Sequence, residues 1–465
     1  MYEYFELQPP EQLVHEKGAK YIGANIHYGL FQHQHKVLLQ TLSILQSEKP
    51  SVMLHMPTGS GKTRTAMHLI SHLFNQRTET VIIWLVSGIE LCEQASFEFQ
   101  KAWSHLGTRP LPLMCLWGSR NGINDNSFKE IYDAPSITQS LTDNGWPTEF
   151  KDGMIVASLD TIAKEVHRWQ PGEMVQKTKK ISLIVFDEAH RSLAETYKNS
   201  VDILRNQNAP LLGLSATPGR RLHGAEADYT LSNLFENQKV ILEIPGYRSP
   251  VEGLIAQGYL ANIDKEKLEI INPKSDIAII QQVRSELANN LDISEKALQY
   301  FGLNATRNLQ IIDRIEKLIK NEDHTRIIVF AASVASSNLL ANLLKSRINS
   351  IFSTSITNET KLHIREEALA QFKTKDDQVA VLFNFGVLTT GFDVPATSAV
   401  IIARPTRSIV LLSQMAGRAL RGPKVGGNAI AKLITVVDTA IPELVDTVSQ
   451  FHAFDNEWQN IGEHL

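Results

Sequence analysis

The sequence predicts an α/β protein with two lobes, each a mostly parallel sheet flanked by helices. Short apolar runs alternate with longer segments of helical pattern, which is typical of repeated strand-helix-strand units. The chain has 465 residues, too many for one compact core at roughly 100 to 200 residues per domain. Because the apolar runs fall into two series, we expect two sheets.

The candidate strands are the apolar runs that end in polar or glycine-containing residues. The first series comprises Val52 to Met56, Thr80 to Val86, Met154 to Ser158, Ile181 to Phe186 and Leu211 to Leu214. The second comprises Arg326 to Phe330, Val379 to Phe383, Ala399 to Ile402 and Ala431 to Val437. Ligands of open α/β sheets bind at the carboxyl ends of strands, so we expect a site there.

The stretch between the two series has a mostly helical and polar pattern, including Asp276 to Leu291 and Ala305 to Lys320. We therefore expect a first lobe over residues 1–240, a helical connector over 241–320, a second lobe over 321–445 and a short tail over 446–465. The segment Gly118 to Gly145 is rich in Asn, Asp, Ser and Gly, which indicates a surface excursion.

Composition excludes several classes of protein. A net charge of -4 argues against a protein that coats nucleic acid through a generally basic surface. Any contact with nucleic-acid phosphates must therefore come from a local basic groove. Two cysteines without zinc-ligand spacing indicate free thiols in a reducing compartment, and we expect a cytoplasmic protein. No apolar run approaches the roughly 18 residues of a membrane span, so we expect no membrane partner.

A glycine-rich loop with the sequence P-T-G-S-G-K-T over 57–63 lies between a candidate strand and a helical segment. Its glycines allow backbone N–H groups to surround phosphate oxygens at the positive end of the helix dipole. Lys62 is expected to neutralise the β and γ phosphates of ATP, and Thr63 to bind Mg²⁺. The expected nucleotide-binding residues of this loop are Thr58, Gly59, Ser60, Gly61, Lys62 and Thr63.

An acidic pair, Asp187 and Glu188, follows the buried candidate strand Ile181 to Phe186. Alone, such a pair is more often a solvated turn or a helix cap. Together with the glycine loop, Asp187 is expected on the Mg²⁺ side and Glu188 as the general base that polarises the attacking water.

These motifs, with Asp187-Glu188-Ala189-His190 as a DEAH box, resemble superfamily 2 helicases of the restriction-subunit and repair-translocase branch over most of the chain. The resemblance implies two tandem RecA-like lobes that hydrolyse ATP with Mg²⁺ at their interface. It also implies that Gln34 pairs with the adenine edge. His190, Ser215 and Thr217 are implied to couple the nucleotide state to the grip on nucleic acid.

The resemblance implies contacts to one nucleic-acid strand from Ser87, Ser158 and Thr389. Hydroxyl and amide groups of such loops and helix starts bind phosphates. For a single residue such as Ser158, a hydroxyl that caps a helix is an equally good interpretation.

The second lobe is implied to complete the active site. Gly391 and Asp393 match the motif that approaches the ribose, and Gln414, Arg418 and Arg421 match the motif that carries the arginine finger. If this segment is one helix, offsets of four and three place the last three on one face. Arg421 is expected as the main finger, with Arg418 beside it; a solvated basic helix face is the alternative.

The resemblance thus implies an ATP-dependent helicase or translocase that prefers DNA to RNA as its nucleic-acid partner. The resemblance also suggests a subunit of a bacterial repair, restriction or antiphage defence system, with a partner protein that recognises the substrate. Two alternatives stay open, an RNA helicase and a nucleotide-gated clamp or scaffold that binds nucleic acid without unwinding it.

Overall fold

The computed structural model describes residues 27–86, 89–116, 150–187, 195–205, 208–216, 232–271, 277–288, 293–322, 324–374, 378–388, 394 and 396–457. The segment Gly118 to Gly145, expected as a surface excursion, lies outside these ranges. Within them, strands and helices alternate along most of the chain, and the predicted α/β class is confirmed.

The first sheet has seven strands in the described residues, all parallel, in the order β3-β4-β2-β5-β6-β1-β7. Its strands are β1 (Ser51–His55), β2 (Val81–Val86), β3 (Leu113–Leu116), β4 (Gly153–Ser158), β5 (Ile181–Asp187), β6 (Leu211–Ser215) and β7 (Lys239–Ile241). The accompanying helices are α1 (Gln32–Leu45), α2 (Lys62–Gln76), α3 (Ile89–Leu106), α4 (Leu159–Val166), α5 (Pro171–Thr178) and α6 (Glu195–Leu204).

The second sheet has six described strands, again all parallel, in the order β10-β11-β9-β12-β13-β8. They are β8 (Asn262–Ile270), β9 (Arg326–Phe330), β10 (Phe352–Thr357), β11 (Ala380–Phe385), β12 (Ala399–Ile402) and β13 (Ile430–Asp438). The helices from here on are α7 (Pro250–Ala256), α8 (Ile277–Ala288), α9 (Glu295–Leu303), α10 (Ala305–Asn321), α11 (Val334–Arg347), α12 (Leu362–Lys373), α13 (Ile409–Ala416) and α14 (Pro442–Glu457).

Each sheet is buried by helices on both faces. The central strands β2 and β4 are buried at every residue, and so are β9 and β12 in the second sheet. One layer of the first lobe packs Val52 and Leu54 of β1 against helix residues such as Ile70 and Phe74. Burial of both faces explains why these strands read as continuous apolar runs.

The sequence analysis missed β3, β7, β8 and β10, which are the four edge strands of the two sheets. Strand β8 is the largest difference, because it lies within the stretch expected as a helical connector. Its sequence N-I-D-K-E-K-L-E-I is mostly half-buried or exposed, so its pattern is not that of a buried strand. The second sheet therefore begins at Asn262, well before the expected start of the second lobe at residue 321.

A charge network joins β8 to the rest of the second lobe. Arg314 of α10 binds Glu266 through two hydrogen bonds, Nε to Oε1 at 2.6 Å and Nη2 to Oε2 at 2.7 Å. Lys432 of β13 lies 3.0 Å from the same carboxylate. The hydrogen bonds from Arg314, with a further one from Lys432, lower the pKa of Glu266 to about 2.

We predict that Glu266→Gln destabilises the second lobe at pH 7. The folded pKa of about 2 lies below the ordinary value of 4.5, so this carboxylate stabilises the fold above pH 4.5 and loses that effect as pH falls towards 2. The free energy of unfolding should fall by about 1 kcal/mol at pH 7. Urea denaturation at pH 7, 4 and 3 should show the gap to the parent protein narrowing.

Glu243→Gln is the matched control, because Glu243 is exposed and lies 3.8 Å from Lys36 in a solvated pair. Its effect should be near zero at each pH. A Glu266→Gln effect no larger than that of the control would contradict the role of the network.

Candidate active site between the lobes

Three neighbouring strands of the first sheet bring the predicted phosphate-binding elements together. Strands β5, β6 and β1 are parallel neighbours, so their carboxyl ends lie along one edge. Asp187 ends β5, Ser215 ends β6, and the glycine loop follows β1. The Met56 N–H donates to the Ser215 carbonyl over 3.1 Å, which ties the loop directly to the end of β6.

The glycine loop has the backbone conformation that phosphate binding requires. Gly59 and Gly61 have φ values of 84° and 90°, in the left-handed region that favours glycine. Gly61 is the N-cap of α2, so the first turn of the helix points its N–H groups at the loop. The Lys62 ammonium donates to the Met56 carbonyl over 3.1 Å, and Lys62 lines the same space as the glycine loop.

Gln34 is held against the glycine loop. Its Oε1 accepts from the Phe31 N–H at 3.0 Å, and its Nε2 donates to the Ser60 carbonyl at 2.9 Å. These bonds set the orientation of the carboxamide, yet each atom keeps capacity for one more hydrogen bond. The free pattern is one acceptor beside one donor, which complements the N6 and N7 edge of adenine.

The second lobe brings its arginines to the same place, although not on one helix. Helix α13 ends at Ala416, a 3-10 turn covers Gly417–Ala419, and Arg421 forms an isolated antiparallel bridge with Leu260. The expectation of one shared helical face for Gln414, Arg418 and Arg421 was therefore wrong. The chain leaves the helix because the segment after Leu420 pairs with the linker ahead of β8.

The lobes meet at two glycines, one from each side. A Cβ atom on Gly59 would lie 2.7 Å from Arg421 Nη1, and one on Gly417 would overlap the Thr58 Cγ2 methyl. Neither position tolerates a side chain without movement. The guanidinium of Arg421 thus lies directly over the phosphate loop.

A cavity of about 430 Å³ lies between these elements. Its lining includes every glycine-loop residue expected to bind nucleotide, with Gln34, Asp187, Gln414, Arg418 and Arg421. Gln414 is 7% exposed, and neither carboxamide atom has a hydrogen-bond partner among the residues the structure describes. Buried polar atoms are nearly always paired, so this amide fits a polar ligand in the cavity.

The remaining predicted residues fall into two groups. Ser158 is the N-cap of α4, where its hydroxyl accepts from the Thr161 N–H and donates to Thr161 Oγ1, so the capping interpretation holds for this side chain. The residues that lie outside the described ranges are Ser87, Glu188, His190, Thr217, Thr389, Gly391 and Asp393.

Several cavity residues were not predicted as ligand-binding positions from the sequence. Among them are Glu98 and Lys101 of α3, Tyr259 of the linker between α7 and β8, and Lys424, which follows Arg421 in the chain. None belongs to a motif with a characteristic spacing. Only the tertiary fold brings them to the cavity.

Comparison with known proteins supports the two-lobe assignment. Residues 27–220 match the family of the type III restriction enzyme res subunit, and residues 310–423 match the helicase conserved C-terminal domain. The chain belongs to the superfamily 2 helicases. It lies on the branch that resembles restriction-enzyme subunits, and the predicted family is confirmed.

Individual relatives of this helicase are distant. The putative ATP-dependent helicase IRC3 of Saccharomyces cerevisiae is 26% identical over 308 residues, which cover 63% of this chain and 39% of the yeast protein. This chain thus matches well under two thirds of that relative's length.

Two solved structures share the fold of this helicase. The ATP-dependent Type ISP restriction-modification enzyme LlaBIII bound to DNA aligns with a TM-score of 0.57 at 16% identity, over 92% of this chain and 30% of that one. Mss116p bound to ssRNA and AMP-PNP aligns with a TM-score of 0.57 at 15% identity, over 92% of this chain and 76% of that one. At these identities the likeness concerns the fold.

Among the helices that the structure describes, none combines the length and apolar character needed to cross a bilayer.

We predict that Gly417→Ala lowers ATP turnover by roughly tenfold or more, because the added methyl overlaps Thr58 Cγ2 and moves Thr58 away from the segment that carries Arg418 and Arg421. Thr58→Ser removes the opposing Cγ2 atom, so the double variant should recover much of the loss. Steady-state ATPase assays on the two single variants and the double variant form a complete cycle. Additive losses in the double variant would contradict the steric contact.

Proposed function

We propose that this helicase hydrolyses ATP in the cavity between its lobes and uses the cycle to translocate along nucleic acid, with DNA preferred to RNA. The observation that carries the proposal is the position of the Arg421 guanidinium over Gly59 of the phosphate loop. A cation from one lobe that reaches the phosphate cradle of the other makes hydrolysis dependent on closure of the two lobes.

The cavity suits a magnesium nucleotide. Glycine-loop N–H groups, the helix dipole of α2 and Lys62 supply positive potential for a triphosphate. Thr63 and Asp187 line the same cavity and offer the hydroxyl and carboxylate oxygens that Mg²⁺ prefers. The ion would neutralise charge on the β and γ phosphates.

The chemistry is divided between the lobes. We assign Glu188, which follows Asp187 in the sequence, as the general base that orients the attacking water. Arg421 and Arg418 stabilise the charge that develops on the transferred phosphoryl group. Gln414 contributes its unpaired carboxamide to the same polar wall.

Coupling to nucleic acid is proposed to run through the ends of the strands. Ser215 contacts the phosphate loop through its carbonyl, and its sequence neighbour Thr217 belongs to the same motif. We assign His190 to the link between this motif and the acidic pair. Ser87, Ser158 and Thr389 are the proposed strand-contact positions, with the backbone of Ser158 as donor because its hydroxyl caps α4.

Support for DNA comes from the match to a restriction-enzyme subunit family and from the DEAH sequence at 187–190. The fold alone does not decide the substrate, because the similar structures include one bound to DNA and one bound to ssRNA. We also propose a cytoplasmic role in repair, restriction or antiphage defence, with a partner subunit that recognises the target.

Lys62→Ala and Glu188→Gln should each lower ATPase activity by about 100-fold or more, because they remove a phosphate contact and the base. Circular dichroism should stay unchanged. Lys36→Ala is the control, since Lys36 is exposed and its ion pair with Glu243 is long and solvated. Retained turnover in either active-site variant would refute the assignment.

The polynucleotide partner can be determined by ATPase stimulation and filter binding with duplex DNA, single-stranded DNA and RNA at two salt concentrations. A translocase on DNA should show stimulation by DNA well above that by RNA, with affinity falling as salt rises. Slow turnover without stimulation would instead indicate the clamp or scaffold, and stimulation by RNA alone would indicate an RNA helicase.

A further inference from the structure

One end of the cavity is aromatic and is built from both halves of the chain. Phe31 and His33 of the first lobe contact Tyr259, with ring centroids 4.6 Å and 4.9 Å apart. Gln34, whose carboxamide presents the donor and acceptor suited to adenine, lies beside them. Tyr259 comes from the linker between α7 and β8, far from any nucleotide motif in the sequence.

The linker residues 259–261 pair with residues 420–422 and form a short two-stranded ribbon, which carries both Tyr259 and Arg421. The Gly422 N–H donates to the Tyr259 carbonyl over 3.0 Å, and the Ala261 N–H donates to the Leu420 carbonyl over 3.0 Å. These bonds flank the bridge between Leu260 and Arg421. Tyr259 and Arg421 are therefore fixed to each other through the backbone.

The chemistry of this end suits a flat, uncharged ring. Burial lowers the pKa of His33 below its ordinary value, which favours the neutral imidazole. The one nearby cation, among the side chains that the structure describes at this ring, is Lys424, whose Nζ lies 4.7 Å from the Tyr259 ring centroid. Phe31 and Tyr259 are both half-buried and both line the cavity, so they retain surface for a ligand.

We propose that Tyr259 contacts the nucleobase of the bound nucleotide and, with Phe31, forms the wall against which the base packs. The inference rests on the proposed ATP site and extends it to a residue that selects for a base. Because Tyr259 and Arg421 share one ribbon, the base and the γ-phosphate are sensed by the same segment. Aromatic contacts of this kind stabilise bound bases substantially.

The test compares ATP with ribose 5′-triphosphate, which carries the same phosphates and sugar but no base. Tyr259→Ala should raise KM for ATP roughly tenfold, yet change KM for ribose 5′-triphosphate less than about twofold. Tyr259→Phe keeps the ring and should retain the parent KM for ATP. Tyr247→Ala is the matched control, because Tyr247 is 40% exposed and does not line the cavity.

Three results would overturn the inference. An unchanged KM for ATP in Tyr259→Ala would show that the ring does not contact the base. Equal increases for both substrates would show that Tyr259 serves only to hold the ribbon. A parent protein without ATP turnover would refute the proposed function and this inference with it, whereas a normal parent with an unaffected variant would refute the inference alone.

Discussion

The close approach of the two lobes at Gly59 and Gly417 is the constraint on which the rest of the active site depends. A Cβ atom on Gly59 would lie 2.7 Å from Arg421 Nη1, and one on Gly417 would overlap Thr58 Cγ2, so the bare glycines leave room for Arg421 over the phosphate loop and for Thr58 opposite Gly417. A methyl at either position would require these side chains to shift. The positive φ of Gly59 adds a second reason for glycine at that position.

The linker before β8 explains how this contact is held. Leu260 is 2% exposed and packs in the core of the first lobe with Leu54 and Leu254, while its backbone bridges Arg421. The finger is thus fastened to a segment that the first lobe anchors by apolar burial. The backbone bonds of this segment link Arg421 directly to the core of the first lobe.

The central strands were predictable because both of their faces are buried. Val81–Val86 and Arg326–Phe330 are apolar almost throughout, so these strands are recognisable even where their first and last residues are misplaced by a position or two. The edge strands have one neighbour and mixed burial. Phe352–Thr357 carries serine and threonine, and Asn262–Ile270 carries alternating charges, so their sequences do not differ from those of helices or loops.

The phosphate loop, Asp187 at the end of its strand and the arginine-bearing segment could be located from the sequence, because each depends on a local order of residue types that the chemistry of phosphate binding requires. The fold was needed to show that Arg421 leaves the helix to pair with Leu260, and that Tyr259 lines the cavity. These placements arise from contacts between residues more than 150 positions apart, about which no local pattern carries information.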